Sequence, residues 1–243
     1  MPGTVQEFWG EFDPDRMDRT VVGLGRKPAL VRAAQIAEPL LAQDTTLAAD
    51  FGCGTGQLSL HAGTRRIVGV ERAPSLAARA AARLDRITMG DLSALPLAAD
   101  TFDLGFLLFV LDDYGDKRPI VSEVLRTLKP GATLVLAAYS PVDQHMGYLG
   151  GPEHLRPAAG TLRVWLEHLP GLCRLLESNG SRVTRKERIG SRYRVDQQEF
   201  SQRVARRQGV SPDVARELMR AAGITEWVRR ELLLVSAAKD GQP

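Results

Sequence analysis

Thr46–Leu60 reads TLAADFGCGTGQLSL. An apolar run ends in Asp50, glycines alternate at Gly52, Gly54 and Gly56, and helix-compatible residues begin at Gln57. The pattern predicts a buried strand, a tight turn whose backbone approaches a ligand closely, and the start of a helix. Such a turn presents backbone N–H groups and the positive end of a helix dipole above the strand.

Strands and helices alternate outward from this turn. Lys27–Leu41 has apolar residues at helical spacing, with Pro28 tolerated in its first turn. Arg66–Glu71 is a short β-branched strand, followed by an Ala-rich helix over Ser75–Leu84 and a third strand over Ile87–Met89. Thr101–Leu111 is almost wholly apolar, as a strand buried on both faces should be. An amphipathic helix, Lys117–Leu128, is stopped by Lys129-Pro130-Gly131, and Ala132–Ala138 is the fifth strand. After an aperiodic stretch, Tyr139–Gly160, a helix spans Leu162–Ser178 with a break near Pro170-Gly171. Arg182–Val195 is a strand, Asp196–Arg207 and Ser211–Ala222 are helices, and Val228–Ala238 is the last strand. This is an α/β chain: a Rossmann-like, seven-stranded, mostly parallel sheet with helices on both faces, a helical insertion and an antiparallel final strand.

At 243 residues the chain fits one elaborated domain. Its 44% hydrophobic and 25% charged residues are ordinary for a globular protein, and no apolar run nears the roughly 18 residues of a membrane span. The N-terminus, MPGTVQEFWGEFDPDR, resembles neither a signal nor a transit peptide, so a cytoplasmic protein is expected. Cys53 and Cys173 lie far apart without CxxC spacing, which argues against a zinc site or a disulfide. The net charge of +3 mildly favours anionic partners.

The glycine turn alone does not separate a dinucleotide from other nucleosides. Gln57 and Leu58 supply no third glycine of the dinucleotide kind, and Asp50 places a carboxylate where a pyrophosphate would be repelled. That carboxylate suits a ligand with an amino group and no phosphate. Glu71, at the end of the second strand, is placed to accept two ribose hydroxyls. Gly90-Asp91-Leu92 follows the third strand, and GDLSALPLAADTFD and Leu128-Lys129-Pro130-Gly131 follow in turn.

From about Lys27 to Ala138 these motifs, in this order, resemble the class I S-adenosylmethionine-dependent methyltransferases, in particular those of ubiquinone and menaquinone biosynthesis. The resemblance implies S-adenosylmethionine as cofactor, S-adenosylhomocysteine as product and no metal. It implies a cofactor site of Asp50, Gly52, Cys53, Gly54, Gly56, Glu71, Arg72, Asp91, Leu92, Leu108 and Phe109, with Asp91 accepting from the adenine amino group and Leu92 flanking the ring. The division expected is a lid segment over residues 1–26, a cofactor-binding core over 27–139, and a substrate side over 140–243 carrying the loop, insertion and last strands.

The acceptor end is less determined. Where many relatives have a histidine-containing turn, this chain has Leu111-Asp112-Asp113-Tyr114; Asp112 or Asp113 either orients an amine or hydroxyl of the substrate or caps the following helix. His145 is the candidate base, with His154 a weaker one; His168 reads as a helix-face residue, and a charged His61 would suit a helix C-terminus. Trp9, Phe12, Tyr139 and Tyr148 are candidate substrate contacts; Phe8, Trp9 and Phe12 either pack on the surface or form an N-terminal lid. Arg182, Lys186, Arg188, Arg192 and Arg194 alternate along one strand, with Arg203, Arg206 and Arg207 beyond: a solvated face, or a patch for an acidic substrate or RNA. The expected reaction is methyl transfer to an O, N or C nucleophile of a small molecule, by a monomer or homodimer without nucleic acid. The alternatives are a cyclase-like enzyme that keeps the cofactor without transferring its methyl, an RNA methyltransferase, and an NAD oxidoreductase.

Overall fold

The computed structural model describes residues 13–23, 25–141, 166–221, 223–224 and 226–241. Its elements are α1 (Pro14–Gly23), α2 (Lys27–Leu41), β1 (Ala48–Phe51), α3 (Gln57–Ala62), β2 (Ile67–Glu71), α4 (Pro74–Ala80), β3 (Arg86–Met89) and β4 (Phe102–Leu108). A 3-10 turn (Leu111–Asp113) leads to α5 (Arg118–Thr127), β5 (Leu128–Tyr139), α6 (Leu169–Glu177), β6 (Ser181–Arg194), α7 (Gln197–Gln208), α8 (Pro212–Ala221) and β7 (Trp227–Lys239).

The seven strands form one sheet in the order β3-β2-β1-β4-β5-β7-β6. β3 to β5 pair in parallel, and β7 runs antiparallel to both neighbours. Strand order reverses beside β1, between β2 and β4, where an open α/β sheet leaves a crevice at its carboxyl edge. β1 is buried along its whole length, as a central strand covered on both faces must be. On one face Phe51, Leu107, Leu134, Leu136 and Leu233 meet α5 and α6 through Val121, Val124, Leu172 and Leu176. On the other, Leu104, Phe106 and Val135 pack on α2 through the small residues Ala33, Ala34 and Ala37.

Several expected boundaries shift. β5 begins at Leu128, which pairs with Phe102, so Lys129-Pro130-Gly131 lies inside the strand and the pairing changes register before Leu104. Pro130 is exposed there, and Gly131 takes φ +78°. Pro170 does not break a helix; it occupies the first turn of α6, where its missing N–H costs nothing. The start of the expected helix, 162–165, lies outside the described residues. The register between β6 and β7 shifts between Val183 and Arg185, which puts Arg182 on the opposite face from Lys186, Arg188, Arg192 and Arg194. Arg188 and Arg194 then pair with Glu231 and Glu226. No helix among the described residues is long and apolar enough to cross a membrane.

Candidate cofactor site

The glycine turn closes both on β2 and on itself. The Gly52 and Cys53 N–H groups both donate to the Val70 carbonyl, at 2.8 and 3.0 Å, and Gly56 N–H donates to the Cys53 carbonyl at 2.8 Å. All three glycines sit at φ between +55° and +75°, where a Cβ is strained. Gly52 has a steric reason as well: a Cβ there would lie 2.6 Å from Cγ2 of Val110. Glu71 fastens the same turn from the side. Its Oε2 accepts from Gly54 N–H at 2.9 Å, and its Oε1 from the N–H groups of Arg72 and Ala73 at 2.8 and 2.9 Å.

A cleft of about 580 Å³ opens above this turn, lined by Gly52, Gly54, Glu71, Arg72, Leu92 and Tyr114 among others. A second lobe of about 390 Å³ adjoins it and is lined by Asp50, Cys53, Thr55, Gln57 and Leu58. Met17, Arg26, Leu108 and Phe109 line both. Phe109, the residue after β4, has φ +60° and donates its N–H to the Ala137 carbonyl. Conformations of this kind in a bulky residue concentrate at ligand sites.

Electrostatics give the smaller lobe its character. Asp50 is 4% exposed, and among the described residues no group donates a hydrogen bond to its carboxylate. Burial, reinforced by the Glu71 charge, lifts its pKa to about 7. In the same lobe stands Arg26, which forms no ion pair among the described residues. Its guanidinium lies 5.0 Å over the rings of both Phe109 and Tyr139, and its Nε donates to the Tyr139 hydroxyl. One small lobe therefore offers an unpartnered acid and a pre-positioned cation. Burial also pushes up the Cys53 thiol, which leaves it protonated.

Of the expected cofactor residues all but Gly56 and Asp91 line the two lobes; Gly56 ends the glycine turn behind them. Gly90 and Leu92 line the cleft, but the Asp91 carboxylate is engaged by Ser93, through its N–H at 2.8 Å and its hydroxyl at 2.5 Å, and by Arg72 at 3.3 Å. These hydrogen bonds, from Ser93 first, hold its pKa below the usual carboxylate range. Arg72 keeps a buried Nη2 without a partner among the described residues.

At the acceptor end the structure corrects several expectations. Asp112 neither lines the cleft nor caps α5. It is 2% exposed, its Oδ2 accepts from Tyr139 N–H at 3.1 Å, and burial lifts its pKa to about 7. Its neighbours Asp113 and Tyr114 line the cleft instead, and Asp116 takes the Arg118 N–H at the start of α5. Tyr139 is 3% exposed, its hydroxyl occupied by Arg26 and its ring flanked by the Arg230 guanidinium at 4.6 Å, so it backs the site. Burial, and then the Lys27 charge, lowers the His61 pKa, which works against a charge at that helix end, and His168 precedes α6 as its N-cap residue. His145, His154, Trp9, Phe12 and Tyr148 lie outside the described residues. Among the described residues no three His, Cys, Asp or Glu side chains gather as metal ligands do.

Sequence reading missed Met17, Arg26, Thr55 and Gln57 as lining residues. Only Arg26 carries a signal there, as a cation directly before a helix.

Residues 49–136 match the sequence model of a family described as a methyltransferase domain. Over 163 residues the chain is 28% identical to a carboxy-S-adenosyl-L-methionine synthase of Klebsiella pneumoniae, covering 60% of this chain and 64% of that protein. Over 100 residues it is 33% identical to a malonyl-[acyl-carrier protein] O-methyltransferase of Dechloromonas aromatica, covering 40% and 37%. The chain thus spans less than two thirds of the length of these relatives. In fold it resembles the magnesium protoporphyrin IX methyltransferase of Synechocystis, solved with S-adenosylhomocysteine, at a TM-score of 0.62 and 15% identity over 97% of this chain and 98% of that one. Residues 49–136, which hold the glycine turn, Asp50 and Glu71, are thus similar to a methyltransferase domain.

Proposed function

We propose that this protein binds S-adenosylmethionine in the two-lobed cleft and transfers its methyl group to an O, N or C nucleophile of a small molecule. The observation that carries the reading is the presence of both Asp50 and Arg26 in one lobe, each without an ion-pair partner among the described residues. An α-amino acid presents one ammonium and one carboxylate, and this lobe presents their complements. Glu71 stands at the ribose position, Leu92 flanks the adenine end, and Asp91 marks its edge.

When bound, the cofactor supplies a sulfonium-activated methyl carbon, open to in-line displacement. The protein's part is alignment and exclusion of water. Asp50 takes the ammonium and Arg26 the carboxylate, while Leu108, Phe109 and Val110 keep water from the reacting end. Among the described residues three carboxylates line the lobes, Asp50, Glu71 and Asp113; Glu71 accepts from backbone N–H groups and Asp50 takes the ammonium. Asp113, on the wall of the cleft beside Val110 and Tyr114, is the carboxylate read as receiving the proton of a hydroxyl or amine acceptor. The protein is read as cytoplasmic, as a monomer or homodimer.

A second reading has one observation behind it: one relative, similar over 163 residues, is named a synthase of carboxy-S-adenosyl-L-methionine, a modified cofactor rather than a methylated acceptor. Incubation with methyl-labelled cofactor and a panel of phenols, carboxylic acids and amines separates the two by mass spectrometry. Label on an acceptor with S-adenosylhomocysteine formed in equal amount supports transfer. Label retained on an altered sulfonium compound supports the synthase reading.

A further inference from the structure

The helix α1 lies against the cleft through Met17 and is held there by charged groups. Met17 lines both lobes, and its Cε lies 3.2 Å from where a Cβ on Gly54 would stand. The next residue, Asp18, reaches into the glycine turn. Its Oδ1 accepts from the Thr55 hydroxyl at 2.6 Å, from Gln57 Nε2 at 2.7 Å and from Arg83 Nη1 at 2.9 Å, and its Oδ2 from Arg83 Nη2 at 2.8 Å. Arg83 also donates to the Thr55 carbonyl at 2.8 Å, so Asp18, Arg83 and the turn form one closed network. Burial works against the ionised Asp18, but the hydrogen bonds from Arg83, Thr55 and Gln57 outweigh it and hold its pKa at about 2. One turn back, Asp15 pairs with Arg79 of α4. The described attachment of α1 is thus a charged seam, Asp15 and Asp18 against Arg79 and Arg83. Such a seam is strong when closed and weakened by salt.

Resting on the cofactor reading above, we propose that α1 is a cover that must lift for the cofactor to enter or leave, and that Asp18 is the latch that sets the rate of this step. Thr55 and Gln57 are at once lobe-lining residues and the latch's partners on the turn, so the cradle and the cover are seated by the same hydrogen bonds. Asp18 is a positioning residue: it acts through the turn and the helix. Exchange of spent for fresh cofactor then requires breaking the seam, whereas an acceptor can come and go with it closed.

The test uses the full chain, wild type and Asp18→Asn, with Arg83→Met made separately to attack the seam from its other side. Dissociation of labelled S-adenosylhomocysteine into an excess of unlabelled compound gives the off-rate, and hydrogen exchange of residues 14–23 reports the helix. Expected are an off-rate at least tenfold faster in both variants and an off-rate that rises with ionic strength only in the wild type. Slower exchange of 14–23 on ligand binding is expected in the wild type alone. An unchanged off-rate in both variants overturns the proposal. So does a loss of affinity carried wholly by the on-rate, which would mean that Asp18 only shapes the cradle. If the wild type binds no S-adenosylhomocysteine, the cofactor reading fails instead. The latch is still decided by whether 14–23 exchanges faster in the unliganded variants than in the wild type.

Discussion

Replacing Asp50 by asparagine should make the protein more stable and less able to bind its cofactor. The carboxyl is buried, and its pKa of about 7 compares with 3.8 for a free aspartate, with burial the larger cause and the Glu71 charge the second. Between these values the folded state holds a proton that the unfolded chain has released. The sign follows: the group costs nothing below about pH 4, and folding stability falls as pH rises towards and through 7. Each pKa unit corresponds to 1.36 kcal/mol, so the ceiling on the penalty at pH 8 is about 4 kcal/mol, against a total stability of roughly 5–15 kcal/mol for a domain. Asparagine keeps the shape and cannot ionise. Asp50→Asn should therefore match the wild type at pH 4 and exceed it by about 1–4 kcal/mol at pH 8, measured by urea unfolding without ligand. Calorimetry of the same samples should show S-adenosylhomocysteine affinity reduced at least tenfold, about 1.4 kcal/mol, because the ammonium loses its counter-charge. A variant no more stable than the wild type at pH 8, or one that binds the ligand equally well, would refute the reasoning.

Further substitutions test the neighbouring groups. Gly52→Ala forces a Cβ to 2.6 Å from Val110 at φ +75°, so it should cost about 1–3 kcal/mol of stability in thermal unfolding and abolish cofactor binding. Arg26→Met should weaken S-adenosylmethionine binding at least tenfold while leaving a decarboxylated analogue almost unaffected; equal losses for both ligands would remove the carboxylate role. Asp112→Asn should copy the pH-dependent stabilisation of Asp50→Asn, since burial lifts both carboxyls to about 7, but leave cofactor affinity unchanged, because Asp112 faces the Tyr139 backbone and not the cleft.

The parallel core was legible because its signals are local. A continuous apolar run, a glycine turn and a strand-ending acid each need only a few neighbouring residues to declare themselves, and Asp50, Glu71 and the glycines stand where those signals put them. What the sequence concealed depends on partners far along the chain. Asp18 reads as one of several acids in a polar segment until Arg83, 65 positions away, is folded against it. Arg26 becomes a fixed cation only when β4 and β5 bring Phe109 and Tyr139 beneath it. The parity of β6 failed for a similar reason: alternation identifies a face only while register is kept, and the shift before Arg185 is set by pairing with β7. Asp112 and Asp113 are indistinguishable as neighbours in sequence. The 3-10 turn sends one under β5 and the other into the cleft.

The central claim is that the cleft is built for the amino-acid end of S-adenosylmethionine as well as for its nucleoside. Calorimetric titration of the wild-type chain with S-adenosylhomocysteine, with adenosine and with NAD tests this most directly. Saturable one-site binding of S-adenosylhomocysteine, at least tenfold tighter than adenosine and with no heat from NAD, is the result expected. Binding of NAD, or adenosine bound as tightly as S-adenosylhomocysteine, would contradict it.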